Sequence, residues 1–376
     1  MRRMSARSYA PDGDDRLQWV LAETGIRLIA FHLPQFHPIP QNDRWWGEGF
    51  TEWTLVRHAQ PLFSGHDQPR APAEATGYYD LTAPGILERQ ALLARAYGIG
   101  AFAFYHYWFS GTLLLERPLQ LWLRAGPTFP FCVAWANEPW TRAWDGRSDV
   151  VLQPQMYGDA SVWRRHFRYL LPAFRDARAL RVGERPLFLI YRAGHIPQLA
   201  AMLDVWRQEA ERHRVERLFV VAMLSGFEDG RSDVLSAVDA VCEFAPFAAR
   251  PYRSGPSTRA NGFIDNYSRA WEELLRIPDV HQVQFRGAFV RFDNTPRRGT
   301  QGVVYDGASA NTYRHYLTIQ LRRALRLPID KRFVFVNAWN EWSEGCYLEP
   351  DTHCGDAYLA ATRAALLDLL PSATRD

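Results

Sequence analysis

Short, almost uninterrupted apolar runs alternate along the chain with longer stretches in which apolar positions recur at helical spacing. The runs are 27–33 (RLIAFHL), 99–105 (IGAFAFY), 130–136 (PFCVAWA), 186–192 (PLFLIYR), 217–224 (RLFVVAML), 238–244 (VDAVCEF), 285–292 (FRGAFVRF) and 332–338 (RFVFVNA). Each is rich in β-branched or aromatic residues, which is how a parallel strand covered on both faces reads. Helical patterns fall at about 84–97, 113–125, 160–178, 196–214, 231–237, 263–276, 309–325 and 356–370. This strict alternation predicts an α/β fold with a parallel sheet. Eight units without a Ser/Gly/Pro-rich linker favour a closed (β/α)8 TIM barrel over a doubly wound sheet. No GxGxxG follows the first run, which argues against a dinucleotide fold. The expected organisation is an N-terminal extension over 1–26, one barrel domain over 27–370 and a tail over 371–376.

In a barrel the chemistry lies at the C-terminal ends of the strands. Polar and aromatic residues gather there: HLPQFHPIPQNDRWWGEGFTEWTLV after the first run, YHYWF after the second, WANEPWTRAWDG after the third, DNTPRR after the seventh and WNEWSEG after the eighth. The connection after the first strand, roughly 37–82, is much longer than the usual two to six residues, so it is expected to be a functional loop or partial lid.

Composition narrows the partners. The 376 residues are 47% apolar, and 44 basic side chains nearly balance 41 acidic ones, with no Lys/Arg stripe of the kind that marks a nucleic-acid or membrane surface. Aromatics make up 14%, including 14 Trp and 16 Tyr, and flat amphipathic rings are what sugar faces stack against. The four cysteines, Cys132, Cys242, Cys346 and Cys354, lack CxxC spacing and are expected to be reduced thiols. No metal is expected: the histidines show no HxH or HExxH spacing. The basic N-terminus has no apolar core of a leader and no stretch approaches a membrane span, so a cytoplasmic protein without a cofactor is expected.

The candidate chemistry centres on Glu341 and Glu344. Three residues apart on a turn, both point to one side, and two neighbouring carboxyls ionise unequally, so that one serves as acid and the other as base. Glycosidic cleavage needs that division of labour. The plainer reading makes Glu344 a helix start with Glu341 exposed. Asn137-Glu138, after the third strand, is the second carboxylate site, a first-choice substrate ligand and runner-up catalyst. Further expected sugar contacts are His32, Trp46, Glu52, Trp53, Tyr105, His106, Tyr107, Trp108, Trp135, Trp140, Trp339, Asn340 and Trp342. For the Tyr105–Trp108 segment packing beneath the long loop is the alternative, and for the loop tryptophans sealing of the barrel mouth.

On the strings FHLPQFHPIPQNDRWWGEGFTEW, PLFSGHDQPRAP, GYYDL, YHYWFSG, FPFCVAWANEPWTRAWDG and NAWNEWSEGCYLEPD, from about residue 27 to 368, the chain resembles the WbsX family, a group named as glycosyltransferases whose domain is similar to glycoside hydrolase family 99. The resemblance implies a (β/α)8 barrel acting on glycans. Family 99 proper cleaves internal α-mannosidic linkages without a metal, and the glutamates of its NEWxEG turn fall on Glu341 and Glu344. It further implies retention through a 1,2-anhydro sugar, with Glu341 taking the proton of the 2-hydroxyl and Glu344 protonating the leaving oxygen and later activating water. The expected function is hydrolysis of an α-linked bacterial polysaccharide or oligosaccharide. The alternatives are glycosyl transfer in surface-polysaccharide synthesis and glycan binding without turnover.

Overall fold

The computed structural model describes residues 15–142, 147–225, 230–252 and 264–370; the expected tail, and residues 1–14 of the expected extension, lie outside them. Eight parallel strands form the barrel: β1 Arg27–His32, β2 Ile99–Phe109, β3 Phe131–Trp135, β4 Arg185–Ile190, β5 Phe219–Leu224, β6 Ala240–Glu243, β7 Gln284–Phe289 and β8 Phe333–Asn337. Each pairs with its neighbours in sequence. The ring closes where β1 meets β8, with Arg27 opposite Phe333 and Ala30 opposite Val336. On its other side β1 pairs with β2, His32 lying opposite Phe104. The (β/α)8 TIM barrel read from the alternation is the fold observed.

The strand runs are near-continuously apolar because both faces are covered. Inside the barrel, rings fill the axis: Phe285 packs against Phe219, Phe333 and Phe335 at centroid distances of 6.3, 5.3 and 5.9 Å. Above them Phe31 contacts Phe335, Tyr105 and Phe244 at 5.7, 5.5 and 5.3 Å. The interior is thus a packed column, and a ligand can enter only at its end. On the outside, Phe102 and Phe104 bury their rings against Trp122 of helix Arg117–Ala125 at 5.9 and 4.9 Å.

Helices Ile86–Ala96, Arg117–Ala125, Ala160–Arg175, Leu199–Arg212, Ser232–Ala237, Tyr267–Leu275, Ala310–Ala324 and Ala357–Leu367 occupy the expected stretches, although position 263 lies outside the described residues. None among the described residues is long and apolar enough to cross a membrane. Three departures bear on the site. First, β2 continues past Tyr105 to Phe109 and turns at Ser110 and Gly111, with φ of 52° and 115°, to pair with Thr112–Leu114. YHYWF is therefore strand, and the following helix starts four residues later than expected, with Pro118 in its first turn where a missing N–H is harmless. Second, the long first connection holds two helices, Pro40–Trp46 and Glu52–His58, each too short to show a period. Third, Trp140–Arg142 and Arg147–Gln153 form an antiparallel hairpin beyond β3. None of the four cysteines, all among the described residues, is in a disulfide.

Candidate active site

After β8 the chain makes a small hairpin. Asn340–Glu341 pairs antiparallel with Cys346–Tyr347 around a tight turn at Trp342–Glu344. The turn ends on Gly345 at φ +58°, where a Cβ would run into the Arg70 guanidinium and come within 3.1 Å of the Cβ of Asp293, so glycine is required on both counts. Asn340 ties the hairpin to the end of β1, its Oδ1 accepting from the Leu33 N–H at 2.7 Å and its Nδ2 donating to the Leu33 carbonyl at 3.0 Å. From the β7 side the Asp293 N–H donates to the Glu344 carbonyl at 2.6 Å. Asp293 is buried and accepts from His66 Nε2 at 2.9 Å, Gln68 Nε2 at 2.6 Å and the Thr295 hydroxyl at 2.6 Å. Burial alone raises its pKa, but these bonds and the Arg70 charge outweigh burial and bring it down to about 2.

The two glutamates converge on Arg297, in the helical turn Thr295–Arg298 after β7. Its Nη2 donates to Glu341 at 2.9 Å and its Nη1 to Glu344 at 2.6 Å. On the side away from the cleft, Nε donates to the Ser343 hydroxyl at 2.8 Å and to Glu52 at 3.0 Å, and Nη2 also reaches Glu52. One cation therefore serves three carboxylates. Burial, first of all, pushes the Glu341 carboxyl up; Arg297 opposes it, the charges of Glu344 and Glu52 add to it, and the result is about 8. For Arg297 burial works against the charge, but Glu52, Glu344 and Glu341 overcome it and hold the guanidinium charged well above its usual range. Tyr105 and Tyr107 are kept neutral by burial and by the facing Glu341 charge, so both phenols stand ready as donors.

These groups open into a cleft of about 230 Å³ at the C-terminal mouth of the barrel, lined by Tyr105, Tyr107, Ala136, Glu138, Pro139, Trp140, Tyr191, Phe244, Phe247, Arg297, Glu341 and Glu344. They come from the ends of β2, β3, β4, β6, β7 and β8, the pattern of a barrel site. Glu138 shares this rim with Glu341 and is held at the edge by Arg192, whose Nε donates to it at 2.6 Å, with 41% of its side chain exposed. Trp140 stands on the wall, edge-on to Tyr107 at 5.1 Å and to Trp45 at 5.9 Å.

The family model described as Glycosyltransferase WbsX matches residues 28–362. The chain belongs to the WbsX family. It is 43% identical over 357 residues to the uncharacterized protein WxcX of Xanthomonas campestris pv. campestris, in two strains, a match that covers 90% of this chain and 49% of WxcX. The chain thus spans about half the length of the curated relatives it matches. Among solved structures, the family 99 endo-α-mannosidase of Bacteroides thetaiotaomicron in complex with bis-tris-propane shares the fold with a TM-score of 0.58 at 14% identity, covering 91% of this chain and 96% of that one. A glycoside hydrolase-like protein does so with a TM-score of 0.60 at 13% identity, covering 91% and 94%.

Within this WbsX domain the structure brings Glu341, Glu344, Glu138, Tyr105, Tyr107 and Trp140 together as expected of rim residues. Others lie elsewhere, and strand alternation explains several. With Tyr105 and Tyr107 of β2 turned inward, His106 and Trp108 must point outward, where they meet helix Ala160–Arg175: His106 Nε2 lies 2.9 Å from His166 Nε2, and Trp108 stacks on the His166 ring at 4.7 Å. Trp135 joins them edge-on to His166 at 4.6 Å. His32 likewise faces outward, bonded to Gln90 Oε1 at 3.0 Å, and burial lowers its pKa to about 4. The expectation that His32 and Trp339 stand around the cleft is thus corrected: both are fully buried, Trp339 against Phe102 at 5.2 Å. Trp53 and Trp342 pack together at 5.3 Å beneath the hairpin, and Asn340 is spent on Leu33. Asn137 fixes the loop that carries Glu138, accepting from the Arg192 N–H at 2.7 Å. Glu52 is buried behind Arg297, and Trp46 lies half-buried beside Phe50 at 5.8 Å. No residue lining the cleft comes from 40–70, so this connection braces the site from behind rather than roofing it. Tyr191, Phe244 and Phe247 line the cleft without belonging to any of the rim stretches, and Arg297 of DNTPRR joins them. Their signal was position alone, since each follows closely on the end of a strand.

Behind the hairpin of this WbsX site, Glu349 accepts from Tyr79 Oη at 2.8 Å, Trp342 Nε1 at 2.7 Å and Gln90 Nε2 at 2.8 Å. All three donors are neutral, and burial raises the carboxyl to about 7 against the lowering effect of those bonds. A carboxyl whose folded value exceeds its unfolded one takes up a proton on folding. Its stabilisation is complete below the unfolded value, about pH 4, and is lost as pH rises through about 7. Glu349→Gln, which cannot titrate, should therefore gain stability relative to the wild type between pH 5 and pH 8, followed by urea unfolding. A stability difference that stays constant over that range would show that Glu349 does not titrate there.

Proposed function

We propose that this WbsX domain is a glycan-active enzyme that hydrolyses an α-linked bacterial polysaccharide or oligosaccharide with retention, using Glu341 and Glu344. The observation that carries the reading is the convergence of both carboxylates on one guanidinium at the mouth of the barrel, in a cleft walled by Tyr105, Tyr107, Trp140 and Tyr191. The rings offer faces to a sugar and the phenols offer donors to its hydroxyls. In the first step Glu341 takes the proton of the 2-hydroxyl, O2 bonds to C1, the C1–O bond to the leaving sugar breaks and Glu344 protonates the departing oxygen. In the second, Glu344 takes a proton from water, the water oxygen bonds to C1, the C1–O2 bond of the anhydro sugar breaks and Glu341 returns the proton to O2. A base works best when its pKa lies near the working pH, which suits the elevated Glu341. No carboxylate need attack the sugar.

The name of the family favours a second reading, transfer, in which a sugar hydroxyl replaces water in the second step. Incubation with a panel of α-linked oligosaccharides, and separately with sugar nucleotides and acceptors, distinguishes the two by product analysis. Released reducing sugar of retained configuration is expected. Consumption of sugar nucleotides alone would overturn hydrolysis.

A further inference from the structure

Glu52 belongs to the first turn of helix Glu52–His58, far in sequence from the hairpin it touches, and its side chain is wholly buried. It does not line the cleft. One of its oxygens, Oε1, takes all the bonds: from Arg297 Nε at 3.0 Å, from Arg297 Nη2 and from the Ser343 hydroxyl. The other, Oε2, has no hydrogen-bond partner among the described residues. The helix itself is seated by Trp53, whose Nε1 donates to the Tyr79 carbonyl at 2.7 Å and whose ring meets Phe36 at 4.6 Å. A buried carboxylate on so firm a mount fixes the guanidinium from behind, leaving Nη1 and Nη2 aimed at Glu344 and Glu341.

The charge matters as much as the aim. A guanidinium facing only Glu341 and Glu344 would favour ionisation of both; a third carboxylate on the same group offsets part of that pull. We propose that Glu52 is a positioning residue for the Glu341–Glu344 pair: it orients the Arg297 fork from behind and takes a share of its charge. This rests on the reading of the pair as the catalytic one. The charged and titratable groups that bear on Glu341 are Arg297, Glu344 and Glu52, with Tyr105, Tyr107 and Cys346 sensing its charge from β2 and the hairpin. Tyr105, Tyr107 and Cys346 are neutral across the working range, so the balance lies among one cation and three carboxylates.

Glu52→Gln tests this, because the amide keeps an oxygen for Arg297 and Ser343 while its NH2 takes the place of the unpartnered Oε2. The ionisation of Glu341 is followed by NMR of carboxyl-labelled glutamate, assigned by the signal that Glu341→Gln loses. In Glu52→Gln the midpoint should fall by about one pH unit or more, a tenfold change in the ionisation constant. Ser343→Ala, which removes a hydrogen bond but no charge, should leave it near the wild-type value. Should the Gln variant not fold, Glu52→Met, uncharged and of similar length, is measured instead. A midpoint that stays or rises without the Glu52 charge overturns the proposal, as does Ser343→Ala moving it equally far. The titration needs no substrate. An absence of glycosidic turnover alongside a lowered midpoint would overturn the catalytic reading and leave the electrostatic role of Glu52 standing.

Discussion

Replacing Glu344 by Gln should lower turnover of an α-linked substrate by about 10²–10⁴, the usual loss on removing one acid/base partner, and a good aryl leaving group should restore part of it. Such a group departs without protonation, so it bypasses the missing acid. Glu341→Gln should lose as much and not be rescued, because the 2-hydroxyl must still give up its proton. The wild-type profile adds a second check. With the Glu341 carboxyl held near 8 by burial and by its acidic neighbours, a base at that position makes kcat/KM climb as pH rises towards 8, whereas an acid there makes it fall. A 2-deoxy or 2-fluoro substrate should be inert and leave no adduct. A covalent sugar on Glu341, seen by mass spectrometry, would replace the anhydro route with direct nucleophilic attack and keep the hydrolase. Full activity in both variants would move attention to Glu138.

Arg297→Met should have the largest effect on stability. It leaves Glu52, Glu341 and Glu344 with no cation between them, and stripping one partner from a buried ionic group typically costs about 3–5 kcal/mol. The sign with pH follows from Glu341, whose folded carboxyl already lies above its unfolded value and rises further once Arg297 is gone. Stability from such a group is present below about pH 4 and lost as pH rises towards the folded value, alike in both proteins until the wild-type value of about 8 is reached, so the gap to the wild type should widen from pH 7 to pH 9. Urea denaturation at both values measures it. An equal loss at pH 7 and pH 9 would mean that lost packing, not uncompensated charge, is what the substitution costs. Turnover at neutral pH should fall as well, since a Glu341 that holds its proton cannot take one from the sugar.

The fold was legible because it rests on a pattern that repeats. Runs such as RLFVVAML and RFVFVNA read as doubly covered strands whatever surrounds them, and eight of them in alternation leave little choice of architecture. The lining of the candidate site was legible only where polar chemistry and rim coincided, as in the NEWSEG turn and at Glu138. Composition could not separate a Trp that faces the cleft from one that props it. Trp140 lines the cleft and Trp339 is entirely buried, though both sit just past a strand. Treating YHYWF as loop hid the alternation that sends Tyr105 and Tyr107 inward and His106 and Trp108 outward. DNTPRR put Arg297 at the rim but hid its role for another reason: a guanidinium becomes part of a site through the carboxylates it meets, and Glu52 lies 245 residues away from it.

The pairing of β1 with β8 decides when this chemistry comes into being. Glu52 follows the first strand, Arg297 the seventh, and Glu341 and Glu344 the eighth, so on a growing chain the first of these charges is synthesised long before the partners that neutralise it. Until the last strand docks, β1 and β7 each present an unpaired edge, and Glu341 and Glu344 are not yet placed on Arg297. The glutamate pair and its guanidinium therefore assemble in the same event that joins the two ends of the sheet. A chain that stopped before residue 333 would lack Glu341 and Glu344 and leave the β1 and β7 edges open to another molecule, so an intact charge cluster is also a report that the barrel has closed.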